Sequence, residues 1–197
     1  WGFDKLQLNS YSGRFTINPD SQWSASIGYG YLKNPEILHP GESMHRITIG
    51  ILNGRKLGTD GQWATTLAAG ANKHMGVSRW TSASLLESEA ILDRRNTVFG
   101  RIEFVEKSAE DLVLPETGPN AVDPEETFNV SSLSLGYIRE LGRPFGTTVG
   151  LGVRGSVTML PAALEPFYGS RTPLGAFVFL RIRPFHGGTM AGMAHNP

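Results

Sequence analysis

A chain of 197 residues with 24 glycines, 12 prolines and 40% hydrophobic residues can bury one sizeable core and is punctuated like a many-turned β protein. No window of 18 apolar residues exists, which excludes a membrane-spanning helix but not a barrel, whose strands offer lipid only every second residue. A formal charge of zero without a basic run argues against a nucleic-acid partner, and the absence of cysteine removes disulfides and thiolate metal sites and fits a bacterial envelope protein.

The first residues, WGFDKLQLNS, are neither a signal peptide nor a start at Met, so an export signal is expected to be removed or to lie upstream. A first strand is expected from about Lys5 to Asn18. Tyr11, Phe15 and Ile17 share a face there, and Leu6 and Leu8 sit on the other, which implies a phase change near Ser10. Asn-Pro-Asp-Ser then turns the chain. The second strand, WSASIGYGY, places Trp23, Ala25, Ile27, Tyr29 and Tyr31 on one face and Ser24, Ser26, Gly28 and Gly30 on the other. Two prolines exclude KNPEILHPGES from a central strand. The third strand sets Ile47, Ile49 and Ile51 against Arg46, Thr48 and Gly50. After the connection NGRKLGTDGQ, the fourth shows Trp63, Thr65, Leu67 and Ala69 on one face.

Residues 72–79 read as loop. The fifth strand, Thr81 to Leu92, requires Glu87 and Glu89 to face inward if Leu86, Ala90 and Leu92 face lipid, and SASLLESEAIL also fits a helical stripe. Asp93 to Asn96 is a short turn. The sixth strand opposes Val98, Ile102 and Phe104 to Arg101 and Glu103. Ser108 to Glu126 carries six acids and three prolines, too long and polar for an ordinary connection. The seventh strand separates Leu133, Leu135 and Tyr137 from Ser132, Ser134 and Gly136, and Gly142 to Phe145 turns it. The eighth opposes Val149, Leu151 and Val153 to Gly150, Gly152 and Arg154. A proline-containing loop then leads to a ninth, with Val178, Leu180 and Ile182 against Arg181 and Arg183.

The connections tend to alternate short and long, as the periplasmic turns and extracellular loops of outer-membrane barrels do. The third and fourth, similar in length, do not fit. The alternation predicts an all-β, antiparallel up-and-down transmembrane barrel of about nine strands over 1–185, with 186–197 as a flexible tail. Single-chain bacterial barrels normally have an even strand number with both ends in the periplasm, so further strands are expected before Trp1, and this sheet is not expected to close on itself. A soluble antiparallel barrel shows the same alternation. The Gly- and Ser-rich polar faces and the aromatics ending several apolar faces favour lipid.

The segments RFTINPDSQWSASIGYGYLKNPEILHPGES, NTVFGRIEFVEK, LSLGYIREL and LEPFYGSRTPLGAFVFLRIRP, spread over nearly the whole chain, resemble a family of uncharacterised bacterial outer-membrane β-barrel proteins. The resemblance implies that fold, an outer-membrane location and a longer chain with more strands upstream. It supplies no catalytic residue. The tail departs from barrels that stop at a terminal aromatic, a position Phe185 would take with twelve residues beyond it.

Charges on a lipid face cost about 2–4 kcal/mol near the midplane, so Arg14, Arg46, Glu87, Glu89, Arg101, Glu103, Arg154, Arg181 and Arg183 are expected to line the lumen. The interleaved signs on the fifth and sixth strands favour ion-pair networks, and the arginines of the last two strands favour a locally basic wall. Such residues serve either a plugged interior or selective conduction. Trp23, Tyr29, Tyr31, Trp63, Tyr137 and Phe185 are the expected membrane-interface aromatics.

HPGESMH gathers His39, Glu42, Ser43 and His45, but its spacing matches neither an esterase elbow nor a zinc motif and reads as a solvated loop. In the tail, His186, Met190, Met193 and His195 are ligand types that soft copper prefers, and chance in a short flexible terminus explains them as well. The sequence therefore predicts no enzyme and no cofactor. It predicts a passive pore or transporter for small solutes, partnered by outer-membrane lipid and other envelope proteins, with a plugged barrel that docks a partner through its long loops as the alternative.

Overall fold

Period-two alternation carries through into nine strands in the computed structural model, which describes residues 9–34, 41, 43–76, 80–142 and 144–184. They are β1 (Tyr11–Ile17), β2 (Trp23–Lys33), β3 (Ser43–Leu57), β4 (Gly61–His74), β5 (Thr81–Ile91), β6 (Asn96–Ser108), β7 (Thr127–Gly142), β8 (Thr147–Met159) and β9 (Leu174–Pro184). Each pairs antiparallel with its sequence neighbours, in the order β1 to β9, within one sheet. β1 and β9 have no pairing with each other among the described residues, so the sheet is open. A four-residue helix α1 (Glu165–Tyr168) lies between β8 and β9.

β5 is a strand throughout, which settles its ambiguity against the helix. β1 begins at Tyr11; Leu6 and Leu8, which motivated the phase change, lie outside the described residues. The largest revision is at NGRKLGTDGQ, where β3 runs on to Leu57 and β4 starts at Gly61, leaving only 58–60 as a turn. The alternation is then regular. Short connections (18–22, 58–60, 92–95 and 143–146) share one end of the sheet, and long ones (34–42, 75–80, 109–126 and 160–173) share the other.

Two short turns use the same device. The Asp20 Oδ1 accepts the amides of Gln22 and Trp23 at 2.7 and 3.0 Å, and the Asp93 Oδ1 accepts those of Arg95 and Asn96 at 2.6 and 2.7 Å. An Asp side chain satisfies amides that a tight turn would leave open, which is why these sequences reverse direction so sharply. Neighbouring turns are tied by Arg94, whose Nε and Nη2 lie 3.0 and 2.9 Å from the Asp60 Oδ1.

The long connections at the other end are built, not merely extended. Ala109 and Leu114 from 109–126 pack with Leu160 and Leu164 from 160–173 and with Phe128 of β7, and Leu112, Val122, Val130 and Phe167 surround them. The segment read as a polar excursion therefore has its own small hydrophobic core. At its tip Val113 is 88% exposed with φ +53, a strained backbone for a β-branched residue.

Candidate functional site

Directly paired residues on antiparallel strands share a face, so the register sorts the side chains of the whole sheet into two sets. One row runs Thr66, Glu87, Arg101, Ser134, Ser156, Gly175 across β4 to β9. Another runs Ala25, Ile51, Leu67, Leu86, Ile102, Leu133, Val157, Leu174 across β2 to β9. The nine charged residues expected together fall on the first face: Arg14 opposite Gly28, Arg46 opposite Asn72, Glu89 opposite Phe99, Glu103 opposite Ser132, Arg154 opposite Phe177, and Arg181 and Arg183 opposite Gly150 and Thr148, with Glu87 and Arg101 in the row above.

On the apolar face, charge is confined to the strand ends. Lys33, His45, Lys73 and Glu106 lie toward the long connections, and Arg55 and Arg139 toward the short turns. Between them the large side chains are exposed: Ile49 is 52% accessible, Leu67 48% and Leu135 62%. Apart from Ser43 at the start of β3, every buried strand residue described lies on the charged face.

Of the six aromatics expected at a membrane interface, the five described all lie on the apolar face. Trp23, Trp63 and Tyr137 sit near the short-turn ends of β2, β4 and β7, and Tyr29 and Tyr31 sit toward the long-connection end of β2. Trp23 and Tyr31 are thus separated by about 27 Å along the strand. Four of the five, Trp63, Tyr137, Tyr29 and Tyr31, have a polar partner or a ring contact. The Trp63 Nε1 donates to Ser88 at 2.8 Å beneath the Arg55 guanidinium, 4.4 Å from the ring. The Tyr137 hydroxyl donates to the Asn96 Oδ1 at 2.5 Å, where Arg139 also donates at 2.6 Å. Tyr29 bonds the His45 Nδ1 at 2.8 Å, and Tyr31 stacks on Tyr11 and lies tilted against His45. Phe185 lies outside the described residues, as do His186, Met190, Met193 and His195.

The charged face holds two ionic groups and an aromatic bridge. In the first group, the Arg101 Nη1 lies 3.6 Å from Glu87 and its Nη2 3.2 Å from Glu103. All three side chains are partly exposed, so the pairing contributes little to stability and mainly fixes where the charges sit. Glu89 and Arg14 have no ion-pair partner among the described residues. In the second group, Arg181 and Arg183 reach across β8 to one oxygen of Glu140 on β7, at 2.5 and 3.2 Å. The Glu140 side chain is 7% exposed. Gly150 makes this reach feasible, since a Cβ there would stand 3.2 Å from the other carboxylate oxygen of Glu140. The basic wall expected on the last two strands is therefore partly neutralised. Arg154, stacked 4.8 Å over Phe177, has no ion-pair partner among the described residues.

Between these groups, Phe99 lies across Gly136 and Phe179 across Gly152, their directly paired glycines on the neighbouring strands. A Cβ on either glycine would fall 2.1 or 2.3 Å from the ring, so the small residues are what let the rings lie down. The two rings then meet edge to face with centroids 6.3 Å apart.

Glu140 and the Phe99/Phe179 pair were not identified from the sequence. Continuing the β7 alternation three residues past Tyr137 would have placed Glu140 with Ser134 and Gly136. Of HPGESMH, His39 and Glu42 lie outside the described residues, Ser43 is buried, and His45 is engaged with Tyr29. No group of three or more His, Cys, Asp or Glu that could hold a metal occurs among the described residues. Comparison with protein-family models, curated proteins and solved structures finds no match to this chain.

Proposed function

We propose that the chain is part of an integral outer-membrane β-barrel that conducts small solutes passively, its apolar face in lipid and its charged face toward an aqueous lumen. The observation that carries the reading is the apolar face. Large exposed aliphatic side chains occupy the middle of the strands, aromatics with polar partners lie toward both ends, and every mid-strand charge is on the opposite side. A soluble protein would leave that face as a very large unsatisfied apolar patch, whereas a bilayer covers it. β2, β5 and β9, at 11 residues each, are long enough to cross the hydrocarbon layer at an ordinary tilt. An edge at each end of the sheet calls for further strands to close it, because an open edge in lipid leaves backbone groups unsatisfied.

Selectivity would come from the charged face, acidic around Glu87, Glu89 and Glu103 and basic around Arg154, Arg181 and Arg183. No covalent chemistry is assigned. Full-length protein in planar bilayers tests this: discrete conductance steps support a pore, and their absence with correctly inserted protein overturns it.

One observation favours the second reading, a plugged barrel that docks a partner. Segments 109–126 and 160–173 share a core with Phe128, which lies on the charged face, so they stand over the long-connection end of that side. In that case conductance would be absent, and a partner would be found on residues 109–126.

A further inference from the structure

The apolar face is not uniformly ridged. Across β3 to β7 it dips into a groove of about 480 Å³, open along its length. Its floor is made by Ala69, Ala71, Ser82 and Ser84, and its walls include Ile49 on one side and Phe104 on the other. The register explains the dip. Ile49, Ala69, Ser84 and Phe104 form one row across β3 to β6, so two small residues stand between two large ones.

Polar side chains stand one row beyond the groove. Two residues beyond Ala71 on the same face is Lys73, half-buried, directly paired with His45. Neither has a carboxylate partner among the described residues, and the apolar face of β1 to β4 carries no Asp or Glu. The His45 Nδ1 is 2.8 Å from the Tyr29 hydroxyl; with that hydroxyl donating, the ring proton sits on Nε2, leaving a second donor beside the lysine. Glu106, the one carboxylate among the groove's described lining residues, accepts from the amide and hydroxyl of Ser82 at 2.8 and 2.7 Å.

We propose that this groove holds one phospholipid, with an acyl chain against Ala69, Ala71, Ser82 and Ser84 and the headgroup phosphate at Lys73 and His45. The inference rests on the membrane reading above and adds to it a defined lipid site. One row beyond the apolar slot, a cation paired with an imidazole matches a molecule with an acyl chain joined to a phosphate. A second protein chain would need an acidic or phosphate-like group at the same place.

The test uses the full-length protein in detergent, titrated with phosphatidylglycerol and read by native mass spectrometry. The expected result is one tightly retained phosphatidylglycerol per chain. Lys73→Gln weakens it about fivefold, the value of one cation near an anionic surface. Ala71→Phe, which fills the groove and leaves the headgroup end intact, abolishes the tight site. Equal retention by wild type and both variants overturns the proposal. So does displacement of the lipid by millimolar inorganic phosphate, which would mean a free-anion site, or a lipid-free dimer, which would mean a second copy in the groove. Sedimentation of the membrane fraction separates the two levels. Protein washed off membranes at alkaline pH refutes the barrel reading itself, whereas firmly inserted protein without the retained lipid refutes only the site.

Discussion

Replacing Glu140 removes the single carboxylate on which Arg181 and Arg183 converge. Glu140→Ala leaves the Arg181 guanidinium, on a side chain only 22% exposed, without its acceptor, while Arg183, 48% exposed, can turn to solvent. Breaking a buried pair from one side costs about 3–5 kcal/mol, and the half-exposed second arginine lowers the figure here to about 2–4 kcal/mol. Glu140→Gln keeps the shape and one acceptor, so about half that loss is expected. Replacing Glu140 and Arg181 together by methionine should recover most of it, because no charge is then stranded. The assay is urea unfolding of the full-length protein in lipid, followed by tryptophan fluorescence, with the double variant closing the cycle. If Glu140→Ala lies within about 0.5 kcal/mol of wild type, the surface range, the two arginines are solvated and the described cluster does not anchor β9.

Gly136→Val or Gly152→Val should cost about 1–3 kcal/mol by evicting Phe99 or Phe179 from its glycine, measured by the same unfolding assay. The loss should largely vanish in a Phe99→Ala background for the first variant. The backbone amide of Arg95, and then the Asn96 side chain, hold the Asp93 carboxyl below the usual carboxylate range. Its folded value being the lower one, the turn's contribution is complete above the unfolded value, about 3.9, and is lost as pH falls through the folded one. Protection of the Arg95 and Asn96 amides from exchange, taken relative to the intrinsic rate at each pH, should therefore fall only in acid, and Asp93→Ala should lack that protection at every pH. Arg154→Glu should shift the reversal potential of any conductance toward cations, whereas Arg14→Gln, away from the second ionic group, should leave Arg181 and Glu140 paired.

The middle of each strand was legible in the sequence because period-two alternation is strongest where one face is apolar. The strand ends were not, because beyond the apolar band both faces are polar and the alternation loses its contrast. That is why Asn53 to Leu57 read as loop although Asn53, Arg55 and Leu57 continue the face of Ile51. Glu140 was missed for the same reason. The core formed by Ala109, Leu114, Leu160 and Leu164 could not be read at all, since its members come from two non-periodic segments that meet only in three dimensions. The faces of Arg101, Arg154 and Arg181 were readable residue by residue; which partner each would meet, a carboxylate for Arg101 and Arg181 and the Phe177 ring for Arg154, depended on register across β5 to β9.

The measurement that bears most directly on the account is nitroxide scanning of β2, one label at a time from Ser24 to Tyr29, in full-length protein reconstituted into bilayers. Labels at Ala25, Ile27 and Tyr29 should be relaxed by membrane-dissolved oxygen, and those at Ser24, Ser26 and Gly28 by a water-soluble nickel complex. The opposite phase, or nickel access at all six positions, would mean that lipid does not cover the apolar face.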